Sequence, residues 1–130
     1  MKTTTTWKTG HAFASYQNNA KIEIESGPGF GPKALLLTAL AGCSGIDVVD
    51  ILEKMRTPFA DLVIDAEAEQ TEDHPRVFKT IHLTYRIKTE EDNRDKVRKA
   101  VDLSLEKYCG VAAMLKKNSD IQYQIIITQE

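Results

Sequence analysis

Cysteine is scarce in this 130-residue chain, with two residues in all, and tryptophan (one) and proline (four) are scarce too. Each shortage excludes something. Two cysteines cannot staple a small secreted scaffold, so the chain must fold on a hydrophobic core. Neither sign of charge is in excess: 17 Lys and Arg against 19 Asp and Glu leave a formal charge of -2. Phosphate contacts need clustered cations, so neither a nucleic-acid nor a membrane partner is expected. The opening MKTTTTWKTG has no apolar h-region and no cleavage pattern. It does not read as a secretory signal, which implies a cytoplasmic location where lasting disulfides do not form. His11, His74 and His82 have no close-spaced partner, and the cysteines stand 66 positions apart, so no metal site is expected. There is no internal repeat, low-complexity tract or linker.

What is present fits a single domain over residues 1–130, with 42% hydrophobic and 28% charged residues. The first 25 residues read as a three-stranded meander, with turns at Gly10 and at Gln17-Asn18-Asn19. The glycine- and proline-rich SGPGFGP follows. It matches neither GxGxxG nor a P-loop and reads as a turn, with Pro32 suited to the first turn of a helix. Residues 33–56, KALLLTALAGCSGIDVVDILEKMR, make one long helix that Thr57-Pro58 ends. Residues 62–69 and 77–88 alternate apolar and polar positions and form an antiparallel hairpin. Here Val77, Ile81, Leu83, Tyr85 and Ile87 face inward with Lys79 the exception, and Arg86 and Lys88 meet an acidic outer face. Thr89 caps a second, amphipathic helix with Val97, Ala100, Val101, Leu105 and Tyr108 at helical spacing. Cys109-Gly110 interrupts it, a short helix over residues 111–117 follows, and Ile121, Tyr123, Ile125 and Ile127 mark a final strand. The order β-β-β-α-β-β-α-α-β is that of an α+β protein, with antiparallel sheet covering an apolar helix.

Residues 34–46 carry no charge, and a helix apolar all round belongs inside a protein. Thirteen such residues fall short of the roughly 20 that cross a bilayer. One small domain cannot surround this helix, so a second copy is expected to close over it as a two-fold dimer. Gly42 and Gly45 flank Cys43 and admit two readings, close approach of a substrate or ordinary helix packing. Cys43 itself is either a small buried hydrophobe or a reactive thiol. Asp47, one helical turn further on, would raise a neighbouring thiol's pKa, so it reads as a structural or pairing residue. Cys109 heads the last helix, where free N–H groups favour a thiolate, or else it is merely a small cap.

The stretch GPKALLLTALAGCSGIDVVDILEKMR, with KYCGVAAMLKKNSDIQYQIII after it, resembles the OsmC/Ohr family of small peroxide-handling proteins nearly end to end. The resemblance implies an OsmC-like fold: antiparallel sheets wrapped around long central helices in an intertwined homodimer. It implies thiol-dependent reduction of organic hydroperoxides in oxidative-stress defence, with a Cys43 sulfenate resolved by Cys109. No cofactor is expected beyond an external dithiol reductant. Leu36, Leu40 and Phe30 are the expected substrate-pocket residues, with Lys33 and Asp47 in support. Family members hold the thiolate with an N-terminal arginine and a glutamate before the cysteine helix. Here no arginine precedes Arg56, and the glutamate region reads Pro32-Lys33-Ala34. Lys33 is the cation candidate, though an ammonium lacks a guanidinium's fork. The alternative reading is a non-catalytic protein that binds a hydrophobic small molecule in the dimer-interface cavity.

Overall fold

The computed structural model describes residues 1–129 and falls into two compact units, Met1–Leu36 and Leu37–Glu130. The first is the expected meander, β1 (Thr4–Thr9), β2 (Ala12–Gln17) and β3 (Ala20–Glu25), paired in sequence order. Gly10 (φ +52°) and Asn18 (φ 54°) supply the left-handed residues that its two tight turns require. Trp7 Nε1 donates to the Gly10 carbonyl at 2.9 Å and pins the first turn. The glycine-rich loop then folds back on β3. The Gly29 N–H donates to Glu25 O at 3.1 Å, and the Glu25 N–H donates to Phe30 O at 3.0 Å. A Cβ at Gly29 would stand 3.0 Å from Glu25 Cβ, so this is a close turn that uses its own backbone.

Helix α1 runs Pro32–Lys54. In the second unit, β4 (Ala60–Gln70), β5 (Phe78–Lys88) and β6 (Asp120–Thr128) form a sheet with β5 in the middle. A 3₁₀ turn (Glu91–Asn93), α2 (Arg94–Leu103), a π-turn (Ser104–Tyr108) and α3 (Gly110–Leu115) connect β5 to β6. That helical crossover returns the chain to the starting end of β5, so β6 lies parallel to it. The expectation of antiparallel sheets is corrected here: it describes the first sheet and the β4–β5 hairpin, while the second sheet is mixed.

Three other expectations change at the level of single residues. The β4–β5 register slips between Glu69 and Gln70, so that Phe78 and Thr80 pair with them and Lys79 is left over in a bulge. The alternation changes phase there: Phe78 is buried and Val77 is exposed, the reverse of the expected faces. Thr89 is no helix cap. Its hydroxyl donates to Pro58 O at 2.7 Å and accepts from Asn93 Nδ2 at 3.0 Å, tying the loop after α1 to the start of the crossover. Tyr108 is 54% exposed because the π-turn carries an extra residue and swings it off the buried face of Val97, Val101 and Leu105.

The core of the second unit joins α1, β5 and the crossover helices. Leu40, Val48 and Leu52 of α1 meet Ile81, Leu83, Tyr85 and Ile87 of β5 and Val97, Ala100, Val101 and Ala112 of the crossover. Only one stripe of α1, Leu40, Ser44, Val48 and Leu52, is fully buried. Ile46 remains 65% exposed on the other side. By length and composition α1 is also apolar enough to cross a membrane, a property that core helices share. At Gly45 the packing reading of the helix glycines applies, since a Cβ there would meet Ile64 Cδ1 at 3.1 Å. Gly42 has nothing within 4 Å of its added Cβ. Outside the core, Arg86 pairs with Asp65 at 2.9 Å on the exposed face of the hairpin, as the charge pattern implies.

Candidate functional site

The spacing of four along α1 that buries Leu40, Ser44, Val48 and Leu52 leaves Cys43 and Asp47 on the shoulder of the stripe, each half-buried. Cys109 comes to the same place from the crossover. The Cys109 N–H reaches back five residues to Ser104 O at 2.7 Å, closing the π-turn. Its backbone then straightens (φ -79°, ψ 103°), and its side chain caps α3 by accepting the Ala112 N–H at 3.3 Å.

Both thiols are free, Cys43 half-buried and Cys109 buried, and they lie close enough for Cys43 to influence the titration of Cys109. Burial above all, then the neighbouring Cys43 side chain, pushes the Cys109 thiol from its ordinary 9.0 up to about 11. The Ala112 N–H pulls the other way, and the charges of Cys43 and Asp47 add to the rise. A thiolate at the head of α3 is therefore a corrected expectation. One N–H at the start of a six-residue helix is outweighed by removal from water. At neutral pH Cys109 keeps its proton.

Beside the sulfurs lies a buried chain of hydroxyls. Tyr85 Oη is 2.7 Å from Ser44 Oγ, and Ser104 Oγ is 2.9 Å from both Ser44 Oγ and Asp47 Oδ2. Ser104 is the donor to both neighbours, so its single hydroxyl proton is shared between Ser44 Oγ and Asp47 Oδ2, while between Tyr85 and Ser44 either hydroxyl can donate. Burial holds the Tyr85 phenol up at about 12, which keeps it protonated. Among the described residues, every buried side-chain nitrogen and oxygen has a partner.

The family model described as OsmC-like protein matches residues 25–124, and with them both cysteines and the hydroxyl chain. The chain belongs to the OsmC-like protein family. It is 44% identical over 98 residues to Protein YhfA of Escherichia coli strain K12, covering 73% of this chain and 72% of that one. A hypothetical protein from Aquifex aeolicus VF5, known from a crystal structure, is 30% identical with a TM-score of 0.84, covering 98% of this chain and 97% of that one. The organic hydroperoxide resistance protein OhrB of Bacillus subtilis is 19% identical with a TM-score of 0.65, covering 95% and 96%. At that identity the likeness to OhrB is one of fold.

In this OsmC-like chain the expected site residues separate into groups. Cys43, Cys109 and Asp47 come together. Lys33 stands ten positions before Cys43 on α1, about 15 Å of helical rise, which exceeds the reach of a lysine side chain. Phe30 and Leu36 are 47% and 45% exposed. Leu40, expected to line a pocket, is sealed in the core because it belongs to the buried stripe of α1. A groove of about 470 Å³ opens elsewhere, lined by Ile51, Met55, Leu103 and Tyr108 together with the charged Asp47, Asp50 and Lys54. Tyr85 and Ser104 were missed. For Tyr85 there was a signal, since a tyrosine on the inward face of a strand needs a partner for its hydroxyl. Ser104 had none, because a buried serine and a solvated one look alike in sequence. Among the described residues, no group of three or more His, Cys, Asp or Glu side chains is placed to hold a metal ion.

Proposed function

We propose that this OsmC-like protein reduces organic hydroperoxides, with Cys43 as the attacking sulfur and Cys109 as the resolving one. The observation that carries the reading is the pairing of two free thiols of unequal exposure, one half-buried and one buried and protonated. In the first step the Cys43 thiolate attacks the terminal peroxide oxygen and the O–O bond breaks. Alkoxide leaves and takes up a proton as alcohol, and Cys43 becomes a sulfenic acid. In the second, the Cys109 sulfur attacks Cys43 Sγ. An S–S bond forms, the S–OH bond breaks, and the Cys109 proton departs with the hydroxide as water. An external dithiol then supplies two electrons and two protons to restore both thiols.

The groove that starts at Asp47 offers Ile51, Met55, Leu103 and Tyr108 as apolar contacts, which suit an alkyl peroxide better than hydrogen peroxide. The exposed side of α1 suits a second copy of the chain, and a Lys33 ammonium would reach Cys43 only from such a copy. A reducing cytoplasm would keep the resting thiols free. The absence of any arginine before Arg56 favours the second reading, a non-catalytic protein that binds a hydrophobic molecule. One experiment separates the two: reduced protein is mixed with an alkyl hydroperoxide and its thiols are mapped by mass spectrometry. The expected product is a Cys43–Cys109 disulfide, absent in Cys43→Ser, with peroxide consumed. Two thiols still free beside unreacted peroxide would remove the enzymatic reading and leave the binder.

A further inference from the structure

The hydroxyl chain has no part in the bond changes above, yet it ties α1, which carries Cys43, to the π-turn that leads into Cys109. Ser104 is its junction. Through Oγ it holds α1 at Asp47 and at Ser44, the residue next to Cys43. Through its carbonyl it accepts the Cys109 N–H at 2.7 Å. The turn it holds is of the π type, and such turns persist where side-chain contacts stabilise the added residue. Relaxed to α register, the turn would move the Cys109 backbone by one residue's step, about 100° around the axis and 1.5 Å along it. The sulfur would leave Cys43 with it. Ser104 and Ser44 are both completely buried, so water cannot take over their hydrogen bonds.

We propose that Ser104 is a positioning residue for the Cys43–Cys109 pair: by clamping the π-turn to α1 it sets the approach of the two sulfurs. The role rests on the reading of the two thiols as a redox pair, and it concerns the disulfide rather than the peroxide. Closing the S–S bond requires each sulfur to be at a high effective concentration at the other. Removing the clamp lowers that concentration and makes the disulfide easier to reduce.

The test equilibrates the full-length protein in glutathione and glutathione disulfide, which exchange two electrons and two protons with the thiol pair, and measures the oxidised fraction by mass spectrometry. Ser104→Ala is expected to lower the equilibrium constant for the Cys43–Cys109 disulfide about tenfold, a shift of about 30 mV towards easier reduction. Ser119→Ala is the control, because it deletes another buried hydroxyl, one that donates to Phe78 O at 2.8 Å. It is expected to match the wild type. A wild-type equilibrium in Ser104→Ala, or an equal shift in Ser119→Ala, overturns the proposal. If Ser104→Ala does not fold, Asp47→Ala removes the half-buried acceptor on α1 instead. A shift in the same direction then supports the clamp and an unchanged constant overturns it. No peroxide is present, so the two readings fail separately. A wild-type chain that forms this disulfide but spares hydroperoxide sinks the peroxidase and leaves the clamp standing. A wild-type chain whose thiols never pair overturns the clamp.

Discussion

At Cys109 a helix start and a buried setting act on the same sulfur in opposite directions. Burial dominates, and the consequence is measurable. In Cys43→Ala the influence of the neighbouring thiol is gone while burial remains. The Cys109 thiol should then titrate below about 11 but still above its ordinary 9.0, as read from alkylation rate against pH. A value at or below 9.0 would remove burial as the main cause. The same shift has a signed effect on stability. The folded state favours the neutral thiol, so its contribution is complete below pH 9.0 and is lost as pH rises through about 11. Urea midpoints of the wild type should fall across that window, and those of Cys109→Ala should fall less. Cys109 was legible from the sequence as a chemically interesting residue. Its protonation was not, because that depends on Cys43 and on a core assembled from residues far away in the chain.

Helix α1 shows what one chain does with an element that is apolar on every side. The spacing of four selects one stripe, and Leu52 within it is completely buried against β5 and the crossover helices. Leu52→Ala should cost about 2–5 kcal/mol in urea unfolding, while Glu53→Ala on the exposed side should stay within about 0.5 kcal/mol. Equal effects would mean that the stripe is wrongly placed. The strands were read correctly in number and order because alternation is a local signal that survives in the sequence. The bulge at Lys79 was visible only as an exception in the pattern, and the pairing with Glu69 and Gln70 explains it. The parallel β6 left no mark, since strand direction depends on the route of the crossover and its own alternation is the same either way.

For the whole molecule, the exposed side of α1 bears directly on assembly. Ile46 is 65% exposed and Leu36 45% within residues 34–46, the uncharged part of α1. If a second copy covers them, the wild type should sediment as a dimer at micromolar concentration and Ile46→Glu as a monomer. A wild type that sediments as a monomer would remove the shared site, and with it any role for Lys33 at Cys43.

Periodicity, turn residues and the surroundings of Cys43 and Cys109 determined the elements, their order and the resemblance that the family match bears out, because each is written in neighbouring residues. Tertiary structure decided which stripe of α1 is core, that Leu40 belongs to it, and that Tyr85, Ser44, Ser104 and Asp47 form one hydrogen-bonded chain beside the sulfurs. Hydrogen bonds and desolvation act through space over a few ångströms. Ser44 and Ser104 are 60 residues apart in the chain and 2.9 Å apart in the fold.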